Sequence, residues 1–161
     1  MKWKQAILCI VVLVVCIASN GYSQKMAFDA KFGLSFLTGN GSSSGILFGG
    51  GLDIPMDNNK LYVRPELNIT SHGGTPIELG GELKYFLPSE TKNNLYIDGG
   101  LGIWFHSGGS SLGLDFGGGT IFPLHGSDLS IPAEIRLGPI FYSGSSTFQI
   151  AITSGIRFNM P

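Results

Sequence analysis

In eight successive stretches of this chain, apolar residues recur at every second position and the charges among them fall on the positions between. Successive side chains of a β-strand point to opposite faces, so a period of two reads as a strand with one greasy and one polar side. The stretches are Met26–Leu37, Gly45–Ile54, Lys60–Thr70, Pro76–Leu87, Leu95–His106, Ser111–Phe122, Leu129–Tyr142 and Thr147–Asn159. The fifth, for example, sets Leu95, Ile97, Leu101, Ile103 and Phe105 against Asp98 and His106. Thirteen charges lie in the strands proper: Asp29, Lys31, Asp53, Arg64, Glu66, Glu78, Glu82, Lys84, Asp98, Asp115, Glu134, Arg136 and Arg157. All thirteen take the polar phase. No apolar period of 3.6 long enough for a helix follows Lys25, so the chain is expected to be all-β.

Two kinds of connector alternate between these strands. Three contain proline with charged or amide residues: Pro55–Asn59, Pro88–Asn94 and Pro123–Asp128. The other four are Gly/Ser loops: Thr38–Ser44, Ser71–Thr75, Ser107–Ser110 and Ser143–Ser146. Such alternation separates the two ends of one up-and-down meander. A repeat lies beneath it. Gly50-Gly51, Pro55 and Leu61-Tyr62-Val63 recur as Gly80-Gly81, Pro88 and Leu95-Tyr96-Ile97, and more loosely as Gly118-Gly119, Pro123 and Leu129-Ser130-Ile131. Each copy reads as one hairpin.

The apolar face could line a soluble barrel or coat a membrane one, and the small residues decide. The polar face also carries Gly33, Gly49, Gly51, Gly80, Gly100, Gly102, Gly113, Gly117, Gly119, Gly138 and Gly155. An eight-stranded barrel has an interior just wide enough for side chains to fill, and about forty Phe, Leu and Ile side chains would not fit there. Glycines interleaved with a few long charged side chains do. On the apolar phase, Phe36, Phe48, Phe105, Phe141 and Phe148 are expected near the Gly/Ser loops. Phe28, Tyr85, Phe122 and Phe158 are expected near the proline turns, with only Phe32 and Phe116 mid-strand. Two aromatic bands around an aliphatic belt suit a bilayer. Lipid offers no water to an open sheet edge, so the sheet must close. The expected fold is an eight-stranded antiparallel up-and-down transmembrane β-barrel. Its termini and proline turns would face the periplasm and its Gly/Ser loops the outside. Pro65, Pro132 and Pro139 fall within strands, where each deletes a ladder hydrogen bond, and bulges or local bends are expected there.

Residues 1–23 read as a signal peptide and residues 24–161 as the barrel domain. Lys2 and Lys4 precede the uncharged run Ala6–Ala18, and Gly21 and Ser23 suit cleavage before Gln24. The run is short of the ~20 residues of a membrane-spanning helix. Cys9 and Cys16 both lie in it, so the mature chain has no thiol for a disulfide, a nucleophile or a zinc site. Ten basic against eleven acidic residues leave no basic excess for nucleic acid. An aromatic share of 11% with only 13% charged residues excludes disorder, and 25 glycines without a G-X-Y period exclude collagen.

The leader, the strand starts Leu61-Tyr62-Val63 and Leu95-Tyr96-Ile97, and the closing Gly155-Ile156-Arg157-Phe158 carry a resemblance. The chain resembles the small outer-membrane β-barrel proteins of OmpA/OmpX-like type, the outer membrane protein β-barrel domain group. The resemblance covers the whole mature chain. It implies residence in a bacterial outer membrane, contact with outer-membrane lipid, a monomeric barrel, and biogenesis through periplasmic chaperones and the barrel-assembly machinery. Gly155, Ile156, Arg157 and Phe158 are similar to the C-terminal signal that this machinery reads, although Asn159, Met160 and Pro161 follow here.

Eight acids and five bases inside a narrow barrel are expected to form a structural salt-bridge plug, because buried charges must be paired. Some barrels of this size are lipid A deacylases that use His, Ser and an acid. His125-Gly126-Ser127 has a His-x-Ser spacing, with Glu134 downstream. The topology puts that triplet in a periplasmic turn and Glu134 in the lumen. His106 and Ser107 are adjacent, which alternation points apart, and His72 sits in a Gly-rich loop without an evident partner. No catalytic, cofactor-binding or metal residue is expected. The leading reading is a non-enzymatic outer-membrane barrel with a structural or interaction role. The alternatives are a lipid A-modifying barrel enzyme and a secreted lipocalin-like barrel with a greasy lumen.

Overall fold

The computed structural model describes residues 26–39, 42–57, 60–72, 75–88, 94–142 and 144–160. The expected signal segment, with Lys2, Lys4, Cys9, Cys16 and the cleavage point before Gln24, lies outside the described residues. Eight strands follow: β1 (Ala27–Gly39), β2 (Ser43–Asp57), β3 (Leu61–Thr70), β4 (Ile77–Phe86), β5 (Asn94–His106), β6 (Gly109–Pro123), β7 (Leu129–Tyr142) and β8 (Ser145–Asn159). Each pairs antiparallel with its neighbour in sequence, and β8 closes on β1 from Ala27↔Asn159 to Gly39↔Thr147. No edge remains. This is the expected all-β up-and-down barrel, and each of the three repeat copies spans one hairpin.

The strands reach further into the connectors than the sequence suggests. Pro55, Met56 and Asp57 continue β2 rather than turning, and a register shift between Pro55 and Asp57 lets β2 and β3 part. Gly109 and Ser110 belong to β6, leaving Ser107-Gly108 as the whole turn from β5. Gly144 closes the β7–β8 hairpin at φ 85°, and Gly126 sits at φ 72° in the β6–β7 turn. A side chain at either position would strain the left-handed backbone.

Which face points inward settles the architecture. Leu67, Ile97, Leu101, Ile135 and Ile152 are 46, 52, 56, 53 and 50% exposed, whereas Arg64, Glu82 and Arg136 are 1, 3 and 5% exposed. That inverts the distribution of a water-soluble protein, whose charged residues are almost never buried. The greasy lumen that a lipocalin-like barrel needs is therefore not present. Four aliphatic side chains, Leu47, Ile54, Ile121 and Ile140, depart from the pattern and are buried. Phe48 also departs from its expected place. It pairs directly across from Phe32, so it belongs to the middle of the outer surface rather than to the loop-end band.

The three in-strand prolines are accommodated without the expected bulges. At each, pairing with one neighbour lapses over two residues and resumes in the same register. Pro65 loses its pairing with β2 but keeps Gly81 of β4. Pro132 loses β8 and keeps Ile121 of β6. Pro139 loses β6 and keeps Phe148 of β8. In an antiparallel ladder a residue's N–H and C=O face the same neighbour, so a missing N–H costs one side only. The Ser154 hydroxyl donates to the Pro132 carbonyl at 2.9 Å, which satisfies an acceptor freed by that lapse.

Candidate functional site

Inward-facing glycines make room in the lumen, and long side chains from neighbouring strands lie across them. A Cβ on Gly119 would stand 2.6 Å from the Tyr96 hydroxyl, one on Gly117 2.6 Å from Asp98 Oδ1, and one on Gly80 3.0 Å from Glu66 Cγ. Arg64 lies over Gly51, Glu82 over Gly100 and Glu78 over Gly102 in the same way. Gly80 faces Glu66, Gly100 faces Glu82, Gly117 faces Asp98 and Gly119 faces Tyr96 directly across the ladder, whereas Arg64 and Glu78 reach their glycines diagonally. Elsewhere the glycines admit backbone instead. A Cβ on Gly138 would collide with the Leu114 carbonyl. Gly138→Val is therefore expected to cost about 1–3 kcal/mol of stability, measured by urea unfolding of the detergent-refolded protein.

The thirteen charges named from the sequence all lie in this lumen, and all are buried. They divide in two. Five acids (Asp29, Asp53, Glu66, Glu82, Glu134) and five bases (Lys31, Arg64, Lys84, Arg136, Arg157) interlock as one continuous ion-pair network. Arg64 is its hub. It contacts Asp29, bonds Asp53 through Nε at 2.8 Å and reaches Glu134 through Nη1 at 2.9 Å. Arg136 contacts Glu66, donates a hydrogen bond to Glu134 at 2.7 Å and stands as an ion pair 2.7 Å from Glu82. Lys31 meets Glu66 at 2.7 Å, and Lys84 meets Asp53 at 3.2 Å. The other three, Glu78, Asp98 and Asp115, have no cation within 4.0 Å among the described residues. Glu78 instead accepts a hydrogen bond from Asn68 Nδ2 at 2.9 Å.

Aromatic side chains extend the network. The Tyr96 hydroxyl donates to Glu134 at 2.8 Å, and Lys84 Nζ stands 4.2 Å from the Tyr96 ring centroid. Tyr62 and Phe86 pack edge to face beyond it, with Phe86 5.3 Å from Tyr62 and 5.6 Å from Tyr96, toward the proline-turn end. Small voids lie among the charges, and two of them measure about 10 Å³ each. That is about the space of a single water. Tyr96 shares the phase of Asp98, so the sequence marked it as inward-facing, but its part in the ion network depends on register.

At the other end, the histidines meet partners that the sequence did not reveal. His72 Nε2 lies 2.9 Å from Ser35 Oγ and Nδ1 lies 3.2 Å from Ser43 Oγ. Gln149 Nε2 donates to the same Ser35 oxygen at 2.8 Å. His106 Nδ1 accepts from the Gly108 N–H at 3.2 Å, so Nε2 carries the proton and donates to Ser111 Oγ at 3.0 Å. Ser35 and His72 stand at the separation of a nucleophile and its base. However, Ser35 is fully buried and the far ring nitrogen meets a hydroxyl rather than a carboxylate. His72 and His106 line one cavity together with Ser107. His125 and Ser127 stay in the exposed turn, where Ser127 Oγ accepts from the Leu129 N–H at 3.0 Å, and Glu134 points into the lumen.

Burial holds the His72 imidazole below the usual histidine range. The neutral ring is thus the folded form. The unfolded chain takes up its proton below about pH 6.5, before the folded chain does. The stability that His72 contributes is whole above that pH and is lost as pH falls through the lowered folded value. Urea unfolding between about pH 7.5 and 5 should show a steeper loss in the parent than in His72→Gln.

Of the closing strand, Gly155 pairs with Lys31, Ile156 faces outward and Arg157 turns inward to Asp29 at 3.2 Å. Phe158 faces outward beside Phe28, with ring centroids 6.4 Å apart. The chain beyond Phe158 stays tied to the barrel through Asn159 N–H to Asp128 and Met160 N–H to Met26.

No family model matches the sequence, and neither does any curated protein. Solved structures do match. Neisserial surface protein A, NspA, aligns over 86% of this chain and 100% of its own at 14% identity, with a TM-score of 0.73. The N-terminal β-barrel domain of Pseudomonas aeruginosa OprF aligns over 84% of this chain and 97% of its own at 12% identity, with a TM-score of 0.58. A de novo designed transmembrane β-barrel aligns over 83% and 95% at 13% identity, with a TM-score of 0.50. At such identities the likeness is one of fold: a small eight-stranded barrel of the outer-membrane kind.

Proposed function

We propose that this chain is an integral protein of a bacterial outer membrane, delivered by a cleaved signal peptide, with a plugged lumen and a structural or interaction role rather than a catalytic one. The observation that carries the reading is the inside-out distribution of side chains. A closed barrel coated with Leu, Ile and Phe around a core of ion pairs is at home only in hydrocarbon. The balanced network of five acids and five bases, with voids of one-water size, supports a plug rather than an ion path. The short loops leave little surface for a large partner, so any partner is small or touches the rim. Outer-membrane lipid is the constant neighbour, and the barrel stands as a monomer. Gly155-Ile156-Arg157-Phe158 serves as the signal for the barrel-assembly machinery, with periplasmic chaperones upstream.

The test joins gel migration to protease treatment of intact cells. The folded protein should resist SDS at room temperature, migrate apart from the boiled form and stay shielded in cells. Release into buffer as a monomer without detergent would overturn the membrane reading. A lipid A mass spectrum that changes when the gene is removed would overturn the non-enzymatic one.

A further inference from the structure

The Gly/Ser-loop end of the barrel holds a cavity of about 220 Å³, walled by Leu37, Pro76, Trp104, Tyr142, His72 and His106. Its walls are mainly apolar and aromatic, and the His106 and Tyr142 rings lie 5.6 Å apart, tilted. An apolar cavity of about 150 Å³ holds benzene, so this one takes a substituted single ring. Its polar groups are mostly spent. Both nitrogens of His72 face serine hydroxyls, and both nitrogens of His106 are bonded, to Gly108 and Ser111. No ring nitrogen is left to ligate a metal ion.

One donor is not spent. Trp104 is 2% exposed, and its Nε1–H has no acceptor among the described residues. The indole lies over Gly113, where a Cβ would stand 3.0 Å from its nitrogen, so the glycine makes room for the ring. Leaving a buried N–H unpaired is costly, and a ligand that supplies an acceptor recovers the cost. The cations deeper in the lumen are held by carboxylates, so among the described residues no free cation stands at this end to neutralise an anion.

We propose that this mouth cavity binds one small neutral aromatic molecule carrying a hydrogen-bond acceptor, such as a ring carbonyl, with its acceptor on Trp104 Nε1–H and its ring against Tyr142 and His106. The site depends on the barrel's own geometry and not on the role proposed above.

Tryptophan occurs only at positions 3 and 104, so the full chain labelled with ¹⁵N-tryptophan gives two indole signals. Trp104→Phe assigns the one at the cavity. In lipid nanodiscs, titration with 4-fluoroacetophenone should move the Trp104 indole proton downfield and saturate. The acceptor-free 4-fluorotoluene should bind roughly tenfold more weakly, the worth of one hydrogen bond to a buried donor, and should not move that proton downfield. Charged 4-fluorobenzoate should bind more weakly still. Absence of a saturable shift up to the solubility limit would overturn the proposal. So would the same non-saturating drift with all three probes, which would report partition into lipid alone.

Discussion

Replacing Arg64 with Met should cost about 3–5 kcal/mol, the penalty for leaving buried carboxylates without their cation. The guanidinium touches three carboxylates from three different strands: Asp29 of β1, Asp53 of β2 and Glu134 of β7. Without it, five carboxylates share four cations in a space that excludes water. Arg64→Lys should recover only part of the loss, since a single ammonium cannot reproduce the planar fork that spans all three acids. Removing charge on both sides, as in Arg64→Met with Asp53→Asn, should be milder than the sum of the single changes, because the pair is coupled. Urea unfolding of the refolded protein in micelles reads each value. A surface arginine would instead change stability by about 0.5 kcal/mol or less, so a cost that small would place Arg64 outside the barrel core.

The second large effect lies on the opposite face. Leu101 stands near the middle of β5 and points outward, whereas Leu95 points outward near the proline-turn end of the same strand. In hydrocarbon, Leu101→Arg should cost about 2–4 kcal/mol and Leu95→Arg only about 0–1 kcal/mol, because an arginine near the interface reaches water. On a protein surrounded by water, both changes would be close to neutral. The contrast between the two positions, measured in lipid vesicles, therefore reports the solvent that the outer face meets.

Much of this architecture was legible because lipid and backbone chemistry impose simple rules. Alternation in Leu95–His106 or Leu129–Tyr142 assigns each side chain to a face, and the glycine excess on the charged face tells which face is crowded. Closure then follows from the need to pair every backbone group. What stayed hidden depends on register between strands. Phe48 counted from its own strand end looks peripheral, yet it pairs across from Phe32. The prolines looked like bulges because the sequence does not say which neighbour loses the bond; one lapse on one side suffices. His72 reaches Ser35 across the barrel mouth, from the β3–β4 connection to β1, a contact that no local spacing encodes. Trp104 and Tyr96 share the phase of Asp98, but their roles appear only once Gly113 and Gly119 are seen beneath them.

Spin-label accessibility tests directly whether the greasy side chains meet hydrocarbon while the ionised ones stay enclosed. With Cys9 and Cys16 replaced by Ala, single nitroxides can be placed through Leu101→Cys, Ile135→Cys and, at the rim, Ser107→Cys in vesicle-reconstituted protein. Labels at positions 101 and 135 should relax strongly with oxygen, which concentrates in lipid, and hardly at all with a water-soluble nickel chelate. The label at position 107 should show the reverse. Strong relaxation by the nickel chelate at positions 101 and 135 would mean that these residues face water, and would contradict the inside-out barrel.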